Sequence, residues 1–154
     1  TSETLELIKK HQKYFPVPLI HLWHGDNGNQ KPAIMNKAIA KAQYEYIIEI
    51  DGDIILHKNF VKDHLSMAEE GVYLFGSRVN IQEKHLEDLF KKKQIDFNYF
   101  SKGIKKRNRT LRIPFIANRA KKETKRSGKL RGCKMAFWRA DFNAVKGFNG
   151  ELGG

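Results

Sequence analysis

The run YEYIIEI, Tyr44 to Ile50, constrains this chain more than any other stretch. Its core is almost continuously apolar, and a strand of that kind lies in the middle of a sheet, covered on both faces. Helical periodicity stands on either side. TLELIKKHQKY, from Thr4, has apolar residues at 5, 7, 8 and 14, with Ser2 or Thr4 as its cap and Pro16 and Pro18 as its stop. Pro32 suits a first helical position, and AIMNKAIAKA after it is apolar at 34, 35, 38, 39 and 42. FVKDHLSMAEE follows Asn59, with Gly71 as its C-terminal stop, and Glu83 to Lys93 is again helical. VPLIHLW (Val17 to Trp23) and VYLFGSRV (Val72 to Val79) read as further strands. Strand, helix, strand, helix, strand with short connections predicts an α/β sheet of parallel strands with helical crossovers.

From Phe97 to Lys129 the pattern weakens around Gly103, Pro114 and Gly128. LRGCKMAFW then reads as a strand, RADFNAV as a short helix and KGFNGELGG as a loop. The 154 residues suffice for one domain, and 40% hydrophobic with 30% charged residues reads as globular. No apolar run approaches the ~20 residues of a membrane-spanning helix. The first residues lack the apolar core of a signal peptide. Cys133 is the single cysteine and has no zinc-ligand spacing around it, so it reads as a small packed residue.

The net charge of +12 is local. Lys102 to Arg131 holds 13 basic residues and one acid, Glu123, while the remainder balances to zero. A neutral domain with one basic segment points to a local anionic partner.

Asp51-Gly52-Asp53 ends the YEYIIEI strand, and ligands of open α/β sheets bind at that strand edge. Two carboxylates around a glycine reach one hard cation, such as magnesium or manganese, that keeps positions open for substrate phosphates. The same tripeptide also makes a good turn. The loop HGDNGNQKP, His24 to Pro32, opens a helix whose N-terminus suits an anion, with Lys31 beside it. Lys31 and Asn36 also read as ordinary surface residues.

GNQKPAIMNKAI, followed by a helix and a strand ending EIDGD, resembles family 2 glycosyltransferases of the GT-A fold. RGCKMAFWRADFNAVKGFN, Arg131 to Asn149, resembles the galactosyltransferase-like C-terminal segment of such enzymes. The resemblance implies a Rossmann-like nucleotide-diphospho-sugar transferase sheet with helices on both faces, incomplete at both ends. It implies inverting transfer from a nucleotide donor, commonly a UDP-sugar, to a polysaccharide or lipid-linked glycan such as lipopolysaccharide, with Mn2+ or Mg2+ as cofactor. Asp53 becomes the direct metal ligand, and Asp51 a contact to the ribose or, through water, to the metal. Lys31, Asn36, Gly52 and Arg78 fall on the donor side, and Arg131, Gly132 and Trp138 on the acceptor side. Residues 1–96 form the nucleotide-sugar part, 97–130 a basic variable segment and 131–154 the acceptor-side segment.

Two departures stand out. Lys134 occupies a position where the family pattern has asparagine, which puts an acceptor-side contact in doubt. The family's first strands would precede Thr1, and its general base, an acid in a Gly-Trp-Gly-x-Glu-Asp stretch, would follow Gly154. The catalytic base is therefore unassigned, Glu151 reads as a loop acid, and this stretch alone is not expected to catalyse transfer.

The histidines His11, His21, His24, His57, His64 and His85 show no metal-ligand spacing, and Phe137, Trp138 and Phe148 suit a core. Trp138 also suits a sugar-stacking platform. The basic segment reads as a solvated loop, as a nucleic-acid surface, or as a membrane-surface patch of Ile104, Leu111, Ile113, Phe115 and Ile116 interleaved with Lys and Arg. The resemblance favours the membrane, on the cytoplasmic face of a bacterial plasma membrane. A basic module without catalysis is the alternative, but no nucleic-acid motif is present.

Overall fold

A computed structural model describes residues 2–25, 28, 30–117, 119 and 134–149. In chain order the elements are α1 (Ser2–Gln12), α2 (Lys31–Lys41), β1 (Tyr46–Ile50), α3 (Phe60–Ser66), β2 (Leu74–Phe75), β3 (Asn80–Ile81), α4 (Leu86–Lys92), β4 (Ile104–Lys105), α5 (Pro114–Ala117), β5 (Lys134–Trp138) and α6 (Arg139–Ala144). They fall in two compact units, Thr1–Gln43 with Asn143–Gly154, and Tyr44–Phe142.

In the first unit, α1 forms where the periodicity predicts it. Its end is closed by Tyr14 and Phe15, whose backbone N–H groups both donate to the His11 carbonyl. The Gln12 side chain donates to the Leu19 carbonyl at 2.8 Å. Pro32 stands in the first turn of α2, where its missing N–H costs nothing, and Ile39 is the helix's buried residue. The predicted strand VPLIHLW is not formed. Pro16 and Pro18 lack N–H donors, and no strand among the described residues of this unit offers a ladder. Trp23 is 77% exposed as a result.

The second unit is organised by β5. Its three-stranded sheet has the order β1-β5-β2, and β5 is antiparallel to both neighbours. This corrects two expectations. The ladders are antiparallel, and YEYIIEI supplies an outer strand of the described sheet while KMAFW supplies the middle one. β1 and β2 still run the same way, with α3 between them in sequence, but β5 is inserted between them. Residues 134–137 are buried for that reason, and Ala136 is fully buried.

The pleat sends alternate residues of β5 to opposite faces. On one face Trp138, Ala136 and Lys134 stand opposite Tyr46, Ile48 and Ile50, and Leu74 meets Ala136 from the other side. Here Tyr46 and Trp138 pack edge to face, their rings 5.3 Å apart. The Tyr46 hydroxyl donates to the His64 carbonyl of α3 at 3.4 Å. On the opposite face Met135 and Phe137 stand opposite Glu49 and Ile47, and Phe137 stacks on Phe142 of α6 at 5.3 Å. The Arg139 backbone N–H donates to the Glu45 carbonyl at 2.7 Å, and its guanidinium pairs with the Glu45 carboxylate.

Three further boundaries differ from expectation. The helix beginning at Phe60 ends at Ser66 rather than running to Gly71, and the Ser66 hydroxyl donates to the Asp63 carbonyl. Such a side-chain bond competes with the backbone ladder. Gly71 instead donates its N–H to the Asp141 carboxylate at 2.8 Å. Val72 to Val79 contains only β2, and β3 follows to pair with β4 in a separate two-stranded ladder. The predicted helix Glu83 to Lys93 is a 3-10 turn, Glu83–His85, followed by α4, which Lys93 closes in the left-handed region.

Two outcomes follow from this core. Ala136→Leu inserts three carbons where β1 and β2 close on β5, and is expected to cost about 1–3 kcal/mol, read as a lower urea midpoint. His64 is buried against Phe60, with ring centroids 4.3 Å apart and Nδ1 without a partner among the described residues. Burial, then the charge of Lys134, holds its imidazole below the usual histidine range, against a smaller upward pull from Asp63. An unfolded histidine protonates near pH 6.5, so below about 6.5 the unfolded chain binds this proton first. The stability contribution is full above that pH and is lost as pH falls through the lower folded-state value. The melting temperature of the wild type is expected to drop more steeply below about pH 6.5 than that of His64→Phe. Parallel profiles would contradict this.

Candidate functional site

Asp51, Gly52 and Asp53 follow β1 directly, and the Ile54 N–H donates to the Asp51 carbonyl at 3.4 Å. Asp51 to Ile54 is therefore a four-residue turn at the carboxyl end of the strand. The turn reading of this tripeptide is correct, and it is compatible with ligation. Asp51 is half-buried, while Gly52 and Asp53 are exposed. Gly52 does not occupy the left-handed region, and a Cβ added to it meets no atom within 4 Å. Neither the backbone nor internal packing demands a glycine there.

No group of three or more His, Cys, Asp or Glu side chains that could hold a metal forms among the described residues. Two carboxylates on one turn, without a third acid, fit a hard cation that keeps most of its coordination positions for water and phosphate oxygens. They do not fit a closed structural metal site.

Lys134 opens β5 opposite Ile50, the residue before Asp51. Its side chain is buried, with the residue 9% exposed, and its ammonium donates to the Ser77 carbonyl in the loop after β2. The aliphatic stem runs against Gly76, where an added Cβ would lie 2.7 Å from Lys134 Cε. Gly76 thus clears the path of the lysine. The Asp51–Asp53 turn, Lys134 and the loop Gly76-Ser77-Arg78 share one edge of the sheet, where β1 and β2 end and β5 begins. Arg78 is exposed, and its carbonyl accepts from the Arg109 guanidinium at 3.3 Å.

Trp138 is at the far end of β5 from Lys134, about 14 Å away at 3.4 Å per residue, against Tyr46. Its indole N–H is buried without an acceptor among the described residues. Lys31 opens α2 at the surface, in the first unit. Asn36, also on α2, uses both ends of its amide on one residue. Its Nδ2 donates to the Phe148 carbonyl at 2.9 Å, and its Oδ1 accepts from the Phe148 N–H at 3.1 Å. Arg131 and Gly132 lie outside the described residues, as do Asp26, Asn27 and Asn29 of the loop before α2.

Sequence reasoning did not find the Lys134–Ser77 bond or the Asn36–Phe148 pair. A glycine within a strand pattern, as at Gly76, is the one available signal for the first, because it marks close approach of another group. The second had no local signal, since its partners are 112 positions apart.

The family model for glycosyl transferase family 2 matches residues 1–136. The match ends inside β5, so the galactosyltransferase-like stretch beyond it rests on sequence resemblance alone. Neither the curated proteins nor the solved structures hold a significant match. A match over so much of the chain, with acids at the carboxyl end of β1, carries the conclusion: the chain belongs to glycosyl transferase family 2.

Proposed function

We propose that the chain is the donor-binding part of an inverting, divalent-metal-dependent transferase that takes its sugar from a UDP-sugar. Family membership supports glycosyl transfer itself. The observation that carries the finer reading is the pair of carboxylates on the turn that ends β1, beside a loop exposing Arg78. Asp53, exposed at the turn, is the direct ligand of Mn2+ or Mg2+ in this reading. Asp51 acts through water or on the ribose. The bound cation supplies Lewis-acid neutralisation of the leaving diphosphate.

The chain's own residues do the rest. Lys134 adds a fixed positive charge at the same edge, where charge on a departing diphosphate accumulates. Its bond to Ser77 holds the loop that carries Arg78. In the transfer, the acceptor hydroxyl oxygen bonds to the anomeric carbon as the bond from that carbon to the diphosphate oxygen breaks. The hydroxyl proton passes to a general base.

The test is a thermal-shift screen of the full-length protein against nucleotide sugars, with and without Mn2+. A UDP-sugar and Mn2+ together, at about a hundredfold excess over Kd, are expected to raise the melting temperature by about 5–10 °C. Asp53→Ala is expected to remove that shift while leaving the ligand-free melting temperature nearly unchanged, because the side chain is exposed. No shift with any nucleotide sugar would sink the reading.

A further inference from the structure

We infer that the segment from Lys102 to Arg119 is a docking surface for an anionic lipid bilayer. Between these residues the sequence has seven basic side chains and no acid. All seven, at 102, 105, 106, 107, 109, 112 and 119, are exposed. Large apolar side chains stand exposed among them. Leu111 is 56% exposed, Ile113 49%, Phe115 63% and Ile116 62%. Pro114 opens the single turn α5 that carries Phe115 and Ile116, and the Arg119 guanidinium lies 3.8 Å from the centre of the Phe115 ring.

The patch is anchored rather than trailing. Ile104 is buried in β4, which pairs with β3. Arg112 holds the Asp63 carboxylate of α3 with two bonds, at 2.7 and 2.5 Å. That fork keeps the Asp63 carboxyl below the usual carboxylate range. The Arg109 bond to the Arg78 carbonyl ties the segment to the loop at the candidate site.

Charge and apolar exposure together select the occupant. A nucleic acid would use the cations and stack on Phe115, but it offers nothing to Leu111, Ile113 and Ile116. A second copy would bring like charges against like. An anionic membrane surface takes both, with phosphate headgroups on the cations and the acyl boundary around the apolar side chains. No helix among the described residues is long and apolar enough to cross a membrane, so the contact lies on the surface. Because Arg109 links the patch to the Arg78 loop, docking brings the candidate site to the headgroup layer. A lipid-linked acceptor is the substrate class that follows, and this last step rests on the glycosyl transfer reading.

The experiment is sedimentation of the chain with vesicles of phosphatidylcholine alone, or of phosphatidylcholine with phosphatidylglycerol. Binding is expected only to the anionic vesicles. Phe115→Ser with Ile116→Ser is expected to weaken it at least about tenfold. Lys105→Glu with Lys106→Glu and Arg107→Glu is expected to abolish it. All five positions are exposed, so the fold survives both sets. The nucleotide-sugar thermal shift is expected to be unchanged by the Phe115 and Ile116 changes, which separates this inference from the one on catalysis. Absence of binding to anionic vesicles overturns the proposal. So does salt-sensitive binding to duplex DNA in place of vesicles, insensitive to Phe115→Ser and Ile116→Ser. Self-association in place of vesicle binding, lost in the same double variant, overturns it as well.

Discussion

The pairing of β5 with both β1 and β2 is the interaction on which the second unit depends. One five-residue strand supplies the partner for every ladder bond in its three-stranded sheet. It also brings most of the buried apolar side chains of that unit, with Met135, Ala136 and Phe137 in succession. A fully buried alanine at its centre stands between Ile48 of β1 and Leu74 of β2 on one face of the sheet. Glu45 and Arg139 then close the end of the β1 ladder, through backbone and side chains together.

The same register builds the candidate site. With Tyr46 opposite Trp138, Ile50 must lie opposite Lys134, and the acidic turn follows one residue later. The strand that completes the core therefore delivers a buried cation to the edge where two carboxylates are displayed. Lys134 is buried there and bonded to the Ser77 carbonyl, with its stem against Gly76. In the first unit, Asn36 plays a comparable local part. It joins the two stretches that carry the family resemblance, α2 and the Gly-Phe-Asn loop, through the backbone of Phe148.

What could be read from the sequence was local. The apolar run at Tyr46–Ile50, the acids ending it, and the helices at Ser2–Gln12 and Lys31–Lys41 were legible because each is written in consecutive residues. Strand direction was not. Alternating strand and helix patterns imply parallel neighbours only if sequence neighbours are also sheet neighbours, and β5 breaks that condition by entering from 134–138. VPLIHLW shows the limit of composition: its residues favour a strand, but the described unit offers no partner for its backbone. At the candidate site, the two acids and their position after the YEYIIEI strand were visible. The role of Lys134 was not, because it depends on a carbonyl 57 positions away. Family resemblance identified its position as unusual without saying what the lysine does.

The central strand also sets an order of assembly. β1 and β2 precede β5 in the chain, yet neither pairs with the other. Among the described residues each finds its ladder partner only in β5, which ends some ninety residues after β1. Until then no strand among the described residues pairs with Tyr46–Ile50, and a long basic stretch follows in sequence. Closing so distant a contact is slow, because the entropy of the intervening loop is lost before the ladder compensates for it. The described sheet therefore closes only when β5 is available to both neighbours.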